Sequence, residues 1–252
     1  MSKITEFVAY FGENHPDLEL KTNQPMSKYT SFRIGGDVEL LALPKNEEQL
    51  AALLKMSKML DIPCAILGAG TNILAPDAGI PGLVICLKDC LDGMERLPDN
   101  RIRVMAGVTM ARAAVFAANL GLSGMEFAHG IPGTVGGGVY MNAGAYKSNM
   151  ASIIQEVFVY RDGQLCWMDV NDCEFAYRTS IFQKHPQWIV LAVKMKLEQG
   201  NEEEIRALMD QRRERRMSSQ PLEMPSAGSV FRNPVNRAAW QYIEDIGYRG
   251  KS

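Results

Sequence analysis

Residues 124–146 read GMEFAHGIPGTVGGGVYMNAGAY. Seven of these are glycine, Glu126 is the only charged side chain, and there is no Lys or Arg. Pro132 fixes one φ angle. Gly133, Gly136, Gly137 and Gly138 bracket Thr134 and Val135. Such a loop can aim successive N–H groups at one point, and an anion held that way needs no cation. Asn142, Ala143 and Gly144 extend a surface of small side chains on which a flat ring can lie. The competing reading is a flexible glycine-rich loop or a close backbone crossing. Apolar Ile131, Val135, Val139 and Met141 distinguish the stretch from a solvated linker.

Upstream, CAIL (64–67) reads as a short apolar strand running into GAGTNIL (68–74). That run mimics GxGxxG but carries Ile73 where a dinucleotide fingerprint needs its third glycine. APDAGIPG, which follows, is not a helix opening, so the Rossmann reading is rejected. A turn of exposed N–H groups holding a pyrophosphate, or an ordinary strand-to-loop turn, both remain. No GK[ST] occurs, which excludes a Walker A loop.

Further outward, ITEFVAYFG predicts a short helix and YTSFRIGGDVELLALP a strand interrupted by Gly-Gly. NEEQLAALLKMSKMLD predicts a helix capped by Asn46, with Glu47 and Glu48 at the positive end of its dipole. GLVICL (82–87) and RIRVMAGV (101–108) read as strands. TMARAAVFAANLG reads as a helix starting at Thr109 and closed by Gly121. IQEVFVYRDG, QLCWMDV and WIVLAVKMKLE are further strand candidates. The order is not a clean βαβα alternation, which predicts an α+β fold rather than a doubly wound sheet. NEEEIRALMDQRRERRM (201–217) predicts a helix with an acidic start and a basic end. Its RRERR run is a solvated helix end or, in a sharper reading, a phosphate-facing patch.

Composition narrows the function classes. At 252 residues with 46% apolar content, the chain can build one large or two ordinary domains. A formal net charge of −2 argues against a general nucleic-acid binder. No secretory signal and no membrane-spanning run is expected. Cys64, Cys86, Cys90, Cys166 and Cys173 are scattered, with no CxxC, and there are only three histidines. Reduced, buried thiols and no metal site are the expectation.

Two segments offer chemistry. In CEFAYRTSIF (173–182), Arg178 follows Tyr177 in apolar surroundings, where a buried Arg needs a partner; a structural ion pair is the alternative. In QPLEMPSAGSVFRNP (220–234), Ser229 has no His nearby in sequence to activate it as a nucleophile. A proton-donor role is the functional reading of Ser229, and a capped turn the structural one.

Taken together, YTSFRIGG, LGAGTNIL, GIPGTVGGGVYMNAGAY, YRTSIF and PSAGSVFRNP resemble the UDP-N-acetylenolpyruvoylglucosamine reductase family, in its shorter subtype. The pieces span residues 29–234, and their combination is specific where each alone is not. The resemblance implies a two-part α+β FAD-binding module of the vanillyl-alcohol-oxidase (PCMH) type over residues 1–199, with subdomains of about 1–95 and 96–199. An incomplete substrate-binding domain over 200–252 would follow. It implies FAD contacts at Gly68, Ala69, Gly70, Thr71, Asn72 and Ile73, at Pro132, Gly133, Thr134, Gly136 and Gly137, and at Asn142, Ala143 and Gly144. Arg178 and Ser229 would be catalytic; Tyr177, Arg178 and Asn233 would bind a UDP-sugar. NADPH would reduce FAD, which would then reduce UDP-N-acetylglucosamine enolpyruvate to UDP-N-acetylmuramate for peptidoglycan, in the cytoplasm. The resemblance brings in no nucleic acid, membrane insertion or protein partner.

It also implies a catalytic glutamate beyond IEDIGYRGKS, where this chain ends, and Glu244 is not that residue. His129 would be a loop variant rather than a flavin attachment point. A related FAD-dependent oxidase and a non-catalytic flavin- or nucleotide-binding fragment are the alternatives.

Overall fold

Consecutive apolar residues at 40–43 and 83–87 build the centre of a first sheet. The computed structural model describes residues 2–88 and 90–251. β1 (Glu19–Pro25), β2 (Asp37–Leu43), β3 (Cys64–Leu67) and β4 (Ile80–Cys86) lie in the order β1-β2-β4-β3. β2, β4 and β3 are parallel, and β1 adds an antiparallel edge. Leu40, Leu41 and Ala42 on β2, and Leu83, Val84 and Ile85 on β4, are all buried, as befits parallel strands covered on both faces. One face packs on Phe7 and Phe11 of α1 (Lys3–Asn14) and on Leu50 and Leu53 of α2 (Glu47–Met59). The other packs on Met26, Leu67 and Ala75. Asn46 caps α2 as the sequence predicts, its side-chain oxygen accepting from the Gln49 N–H at 2.9 Å.

The chain continues through β5 (Met94–Leu97), β6 (Arg101–Met105), α3 (Met110–Asn119), β7 (Leu122–Ser123) and α4 (Val135–Tyr140). A small hairpin of β8 (Gly144–Ala145) and β9 (Ser148–Asn149) precedes β10 (Ile154–Arg161), β11 (Gln164–Asp169), β12 (Ile189–Lys196) and β13 (Glu198–Gln199). The second sheet is antiparallel, ordered β11-β10-β12-β6-β5. Its core is filled by an alanine face of α3 (Ala113, Ala114, Ala117 and Ala118), which lets that helix sit close to α4. Ile189 and Leu191 of β12 join the core under the first sheet, so the two sheets share packing.

α5 (Glu202–Ser219) is anchored by Ile205 and Met209, while α6 (Ala239–Asp245) buries no residue. Mixed parallel and antiparallel sheets with covering helices make an α+β fold. Among the described residues no helix is long and apolar enough to cross a membrane. The thiols are not uniformly buried as expected: Cys86 and Cys173 are buried, Cys90 and Cys166 half-buried, and Cys64 is exposed. Burial, with Asp172 and Asp169 nearby, pushes the Cys173 thiol up to about 12.

Candidate functional site

Two loops that are distant in sequence meet at this site. The first leaves the end of β3 at residues 68–73, and the second spans 132–137. They touch where the Thr71 hydroxyl donates to the Pro132 carbonyl at 3.2 Å. A Cβ on Gly68 would lie only 2.5 Å from Thr134 Oγ1. Gly70 is left-handed, with φ of +62°, and a Cβ there would sit 2.0 Å from the Tyr29 carbonyl oxygen, so only glycine fits. The Ser31 N–H donates to the Gly70 carbonyl at 3.0 Å and holds the first loop from behind. Among the described residues no acceptor takes the N–H groups of Ala69, Gly70, Thr71, Asn72 and Ile73, nor those of Gly133 and Thr134. Donors without a protein acceptor on two touching loops, with no cation in either, are the donor set that a backbone anion site requires.

The glycine-rich stretch is not a simple loop. Val135–Tyr140 forms a short helix, with the buried Thr134 as its cap. Neighbouring backbone pins it: the Val135 N–H donates to Val108 O at 2.8 Å and the Gly136 N–H to Ala106 O at 2.9 Å. Its glycines divide by role. A Cβ on Gly136 would crowd the Ala106 Cβ at 2.9 Å, and one on Gly138 would crowd the Met110 sulfur at 2.8 Å. Gly133 and Gly137 have open space except for the threonine hydroxyls of Thr71 and Thr134. The stretch makes a close backbone crossing at Gly136 and Gly138 and leaves open space at Gly133 and Gly137. Gly144 lies so close to β9 that a Cβ would meet the Ser148 carbonyl at 2.4 Å. The Ala143 N–H donates to Gly138 O at 2.8 Å, which ties this segment back to α4.

Arg178 stands at the tip of a two-residue turn. Ala176 and Thr179 exchange backbone hydrogen bonds of 3.0 and 3.1 Å across it. Arg178 is half-buried and left-handed, at φ of +56°. Its guanidinium donates to Gly144 O at 2.8 Å and Asn142 O at 3.4 Å, and lies 5.3 Å from the Tyr177 ring centroid. Among the described residues it has no carboxylate partner, so the expected structural ion pair is replaced by carbonyl acceptors. Tyr177 is exposed.

The segment carrying Ser229 reaches both places. The Ser31 hydroxyl donates to Ser226 O at 2.6 Å, and the Ser226 N–H donates to Ser31 O at 3.2 Å. Arg232 donates to the Arg178 carbonyl at 3.5 Å. Ser229 itself is exposed and has no hydrogen-bond partner among the described residues. Asn233 is exposed, and its side-chain oxygen accepts from the Ala239 N–H at 2.9 Å, ahead of α6. Ser31 and Gln183 are site residues that residue-level reasoning missed. Ser31 lies inside YTSFRIGG, but a lone serine in a strand-like run carries no signal of what it will touch.

On α5, Arg212 stacks 4.6 Å from the Tyr146 ring and Arg216 runs beside Gly130, while the other arginines of RRERR are exposed. His129 lies beneath this helix, half-buried, with its Nδ1 unpartnered. Burial holds its pKa below the usual value, against Asp210 and with Arg213. The folded state therefore keeps His129 neutral. Its contribution to stability is present above about pH 6.5 and is lost as pH falls toward the folded value. Melts at about pH 7.5 and about pH 5 should show wild type losing more Tm than His129→Gln, which cannot titrate there. Equal losses would refute the assignment.

The donor set suits FAD: backbone N–H groups for a pyrophosphate, and open glycine surface for a ring system. Comparison with known proteins agrees. Residues 38–169 match the FAD binding domain, and residues 220–252 match the C-terminal domain of UDP-N-acetylenolpyruvoylglucosamine reductase. The chain is 39% identical to the UDP-N-acetylenolpyruvoylglucosamine reductase of Anoxybacillus flavithermus, over 92% of this chain and 76% of that protein. It is 40% identical to the Clostridioides difficile reductase, over 92% and 76%. The crystal structure of the Thermus caldophilus enzyme superposes with a TM-score of 0.74 at 30% identity, covering 91% of this chain and 80% of that one. Cholesterol oxidase from B. sterolicum, at 15% identity and a TM-score of 0.53, shares the fold alone. The chain belongs to the UDP-N-acetylenolpyruvoylglucosamine reductase family.

Proposed function

We propose that this chain is an FAD-dependent oxidoreductase that uses NADPH to reduce UDP-N-acetylglucosamine enolpyruvate to UDP-N-acetylmuramate, a peptidoglycan precursor. The observation that carries the reading is the meeting of the 68–73 and 132–137 loops, with seven N–H groups that take no protein acceptor among the described residues. In this reading those groups, from residues 69–73, Gly133 and Thr134, hold the FAD pyrophosphate. Pro132, Gly136, Gly137, Ala143 and Gly144 shape the surface beside it. Bound FAD supplies hydride, taken from NADPH, to the terminal carbon of the enolpyruvyl group.

The residues of the chain then handle charge and proton. Hydride addition leaves negative charge on the adjacent carbon, spread into the carboxylate. Arg178, without a carboxylate partner of its own, is the cation that stabilises this charge. Tyr177 and Asn233 hold the UDP-sugar around it. Ser229 donates the proton to the carbon next to the carboxylate. An aci-carboxylate is basic enough to take it from a hydroxyl, which removes the need for a histidine.

Residues 1–199 form the FAD module in this proposal, divided near residue 95, and 200–252 open the substrate-binding domain. The reaction belongs in the cytoplasm, where NADPH and sugar nucleotides are made.

Absorbance spectroscopy tests the whole reading. The purified protein should be yellow, bleach with NADPH under anaerobic conditions, and recover its colour on adding the enolpyruvyl sugar nucleotide. A colourless protein that takes up no FAD would sink the reading. Recovery with O₂ but not with the sugar nucleotide would favour an oxidase.

A further inference from the structure

Asn142 is buried, 4% exposed, and held at a left-handed φ of +40°. Both polar atoms of its side chain are bonded to protein. The amide nitrogen donates to Ala176 O at 2.9 Å, and the amide oxygen accepts from the Ala151 N–H at 3.0 Å. Ala176 opens the turn whose tip is Arg178, and the Asn142 carbonyl is one of the two acceptors of the Arg178 guanidinium. Gln183 grips the same turn from the other side, donating to Arg178 O at 3.1 Å and to Tyr140 O at 3.0 Å.

A non-glycine residue in the left-handed region persists only where its surroundings over-determine it. Two such residues, Asn142 and Arg178, face each other here. The bonds that hold one hold the other. We infer that Asn142, assisted by Gln183, is a positioning residue that fixes the Arg178 turn against the cofactor segment 142–144. This rests on the proposed role of Arg178. It assigns the Asn142 amide to aiming the arginine rather than to contacting the cofactor. A displacement of about 1 Å at such a group can cost about 10²-fold in rate.

Three variants and their doubles test this by stopped-flow: Asn142→Gly, which accepts the left-handed backbone while deleting the amide, Gln183→Ala and Arg178→Lys. Asn142→Gly should retain FAD and be reduced by NADPH at the wild-type rate. Its reoxidation by the enolpyruvyl substrate should slow about 10–100-fold. Combined with Arg178→Lys it should be no slower than Arg178→Lys alone, as expected for residues acting as one unit. In the FAD-free protein, trypsin should cut after Arg178 faster in Asn142→Gly than in wild type. If Asn142→Gly does not fold, Gln183→Ala, at a half-buried position outside the core, carries the same expectations.

Loss of FAD, equal slowing of both half-reactions, or additive effects in the double variant would overturn the positioning role. So would a wild-type reoxidation rate in Asn142→Gly while Arg178→Lys is slow. Arg178→Lys with unchanged reoxidation would instead overturn the reading of Arg178 itself, and the inference with it.

Discussion

Replacing Ser229 by alanine is expected to slow reoxidation of the reduced flavin by the enolpyruvyl sugar nucleotide by about 10²–10⁴-fold, the usual contribution of a positioned general acid. Reduction by NADPH should keep its wild-type rate, because no proton is delivered to a substrate carbon in that half. The fold should not suffer, since Ser229 is exposed and without a partner among the described residues. The loop is held elsewhere, through Ser226 on Ser31 and Arg232 on the Arg178 carbonyl. Single-turnover kinetics of each half-reaction separate the effects. Slowing of both halves by one factor would remove Ser229 from the proton-donor role. Solvent deuterium should slow reoxidation in wild type more than in the variant.

The second large effect falls on the cofactor. Gly68→Ala should weaken FAD binding about 10–100-fold, from an overpacking cost of about 1–3 kcal/mol. The added carbon would stand 2.5 Å from Thr134 Oγ1. Thr134 cannot swing away freely, because it is buried and its hydroxyl caps α4 by accepting from Gly137 N–H. The substitution therefore pushes apart the two loops proposed to hold the cofactor. Thr134→Ala in the same chain removes the colliding oxygen and should restore part of the affinity. Equilibrium titration of FAD-stripped protein, followed by flavin fluorescence, measures both. Wild-type affinity in Gly68→Ala would show that the loops need not touch to bind the cofactor.

Much of the fold is legible in local pattern. Asn46, Thr109 and Gly121 mark helix ends because capping is a matter of a few adjacent residues. The apolar runs at 83–87 and 189–193 declare strands because both of their faces are covered, and 64–67 is legible from its apolar residues although Cys64 and Ala65 are exposed. Glu19–Pro25 and Met94–Leu97 escape notice because they are edge strands rich in polar side chains, with no apolar run to mark them. The short helix at Val135–Tyr140 escapes for a related reason. Three successive glycines disfavour helix by about 1 kcal/mol each, yet here tight packing on Ala106 and Met110 demands two of them, Gly136 and Gly138.

The residue types by themselves determine that the site is built from backbone. Glycine-rich loops without Lys or Arg leave only backbone N–H groups and short neutral side chains as donors, and Ser229 without a neighbouring histidine points to a proton donor rather than a nucleophile. Tertiary structure alone decides which loops face each other. Gly68 meets Thr134 across 66 positions of chain. The same is true of Asn142, Ala176 and Arg178, whose bonds span more than 30 positions, and of Ser31, which bridges Gly70 and Ser226. Local propensity acts over a helical turn or a strand pair. These contacts follow from how two sheets share one core, and that packing depends on the whole chain.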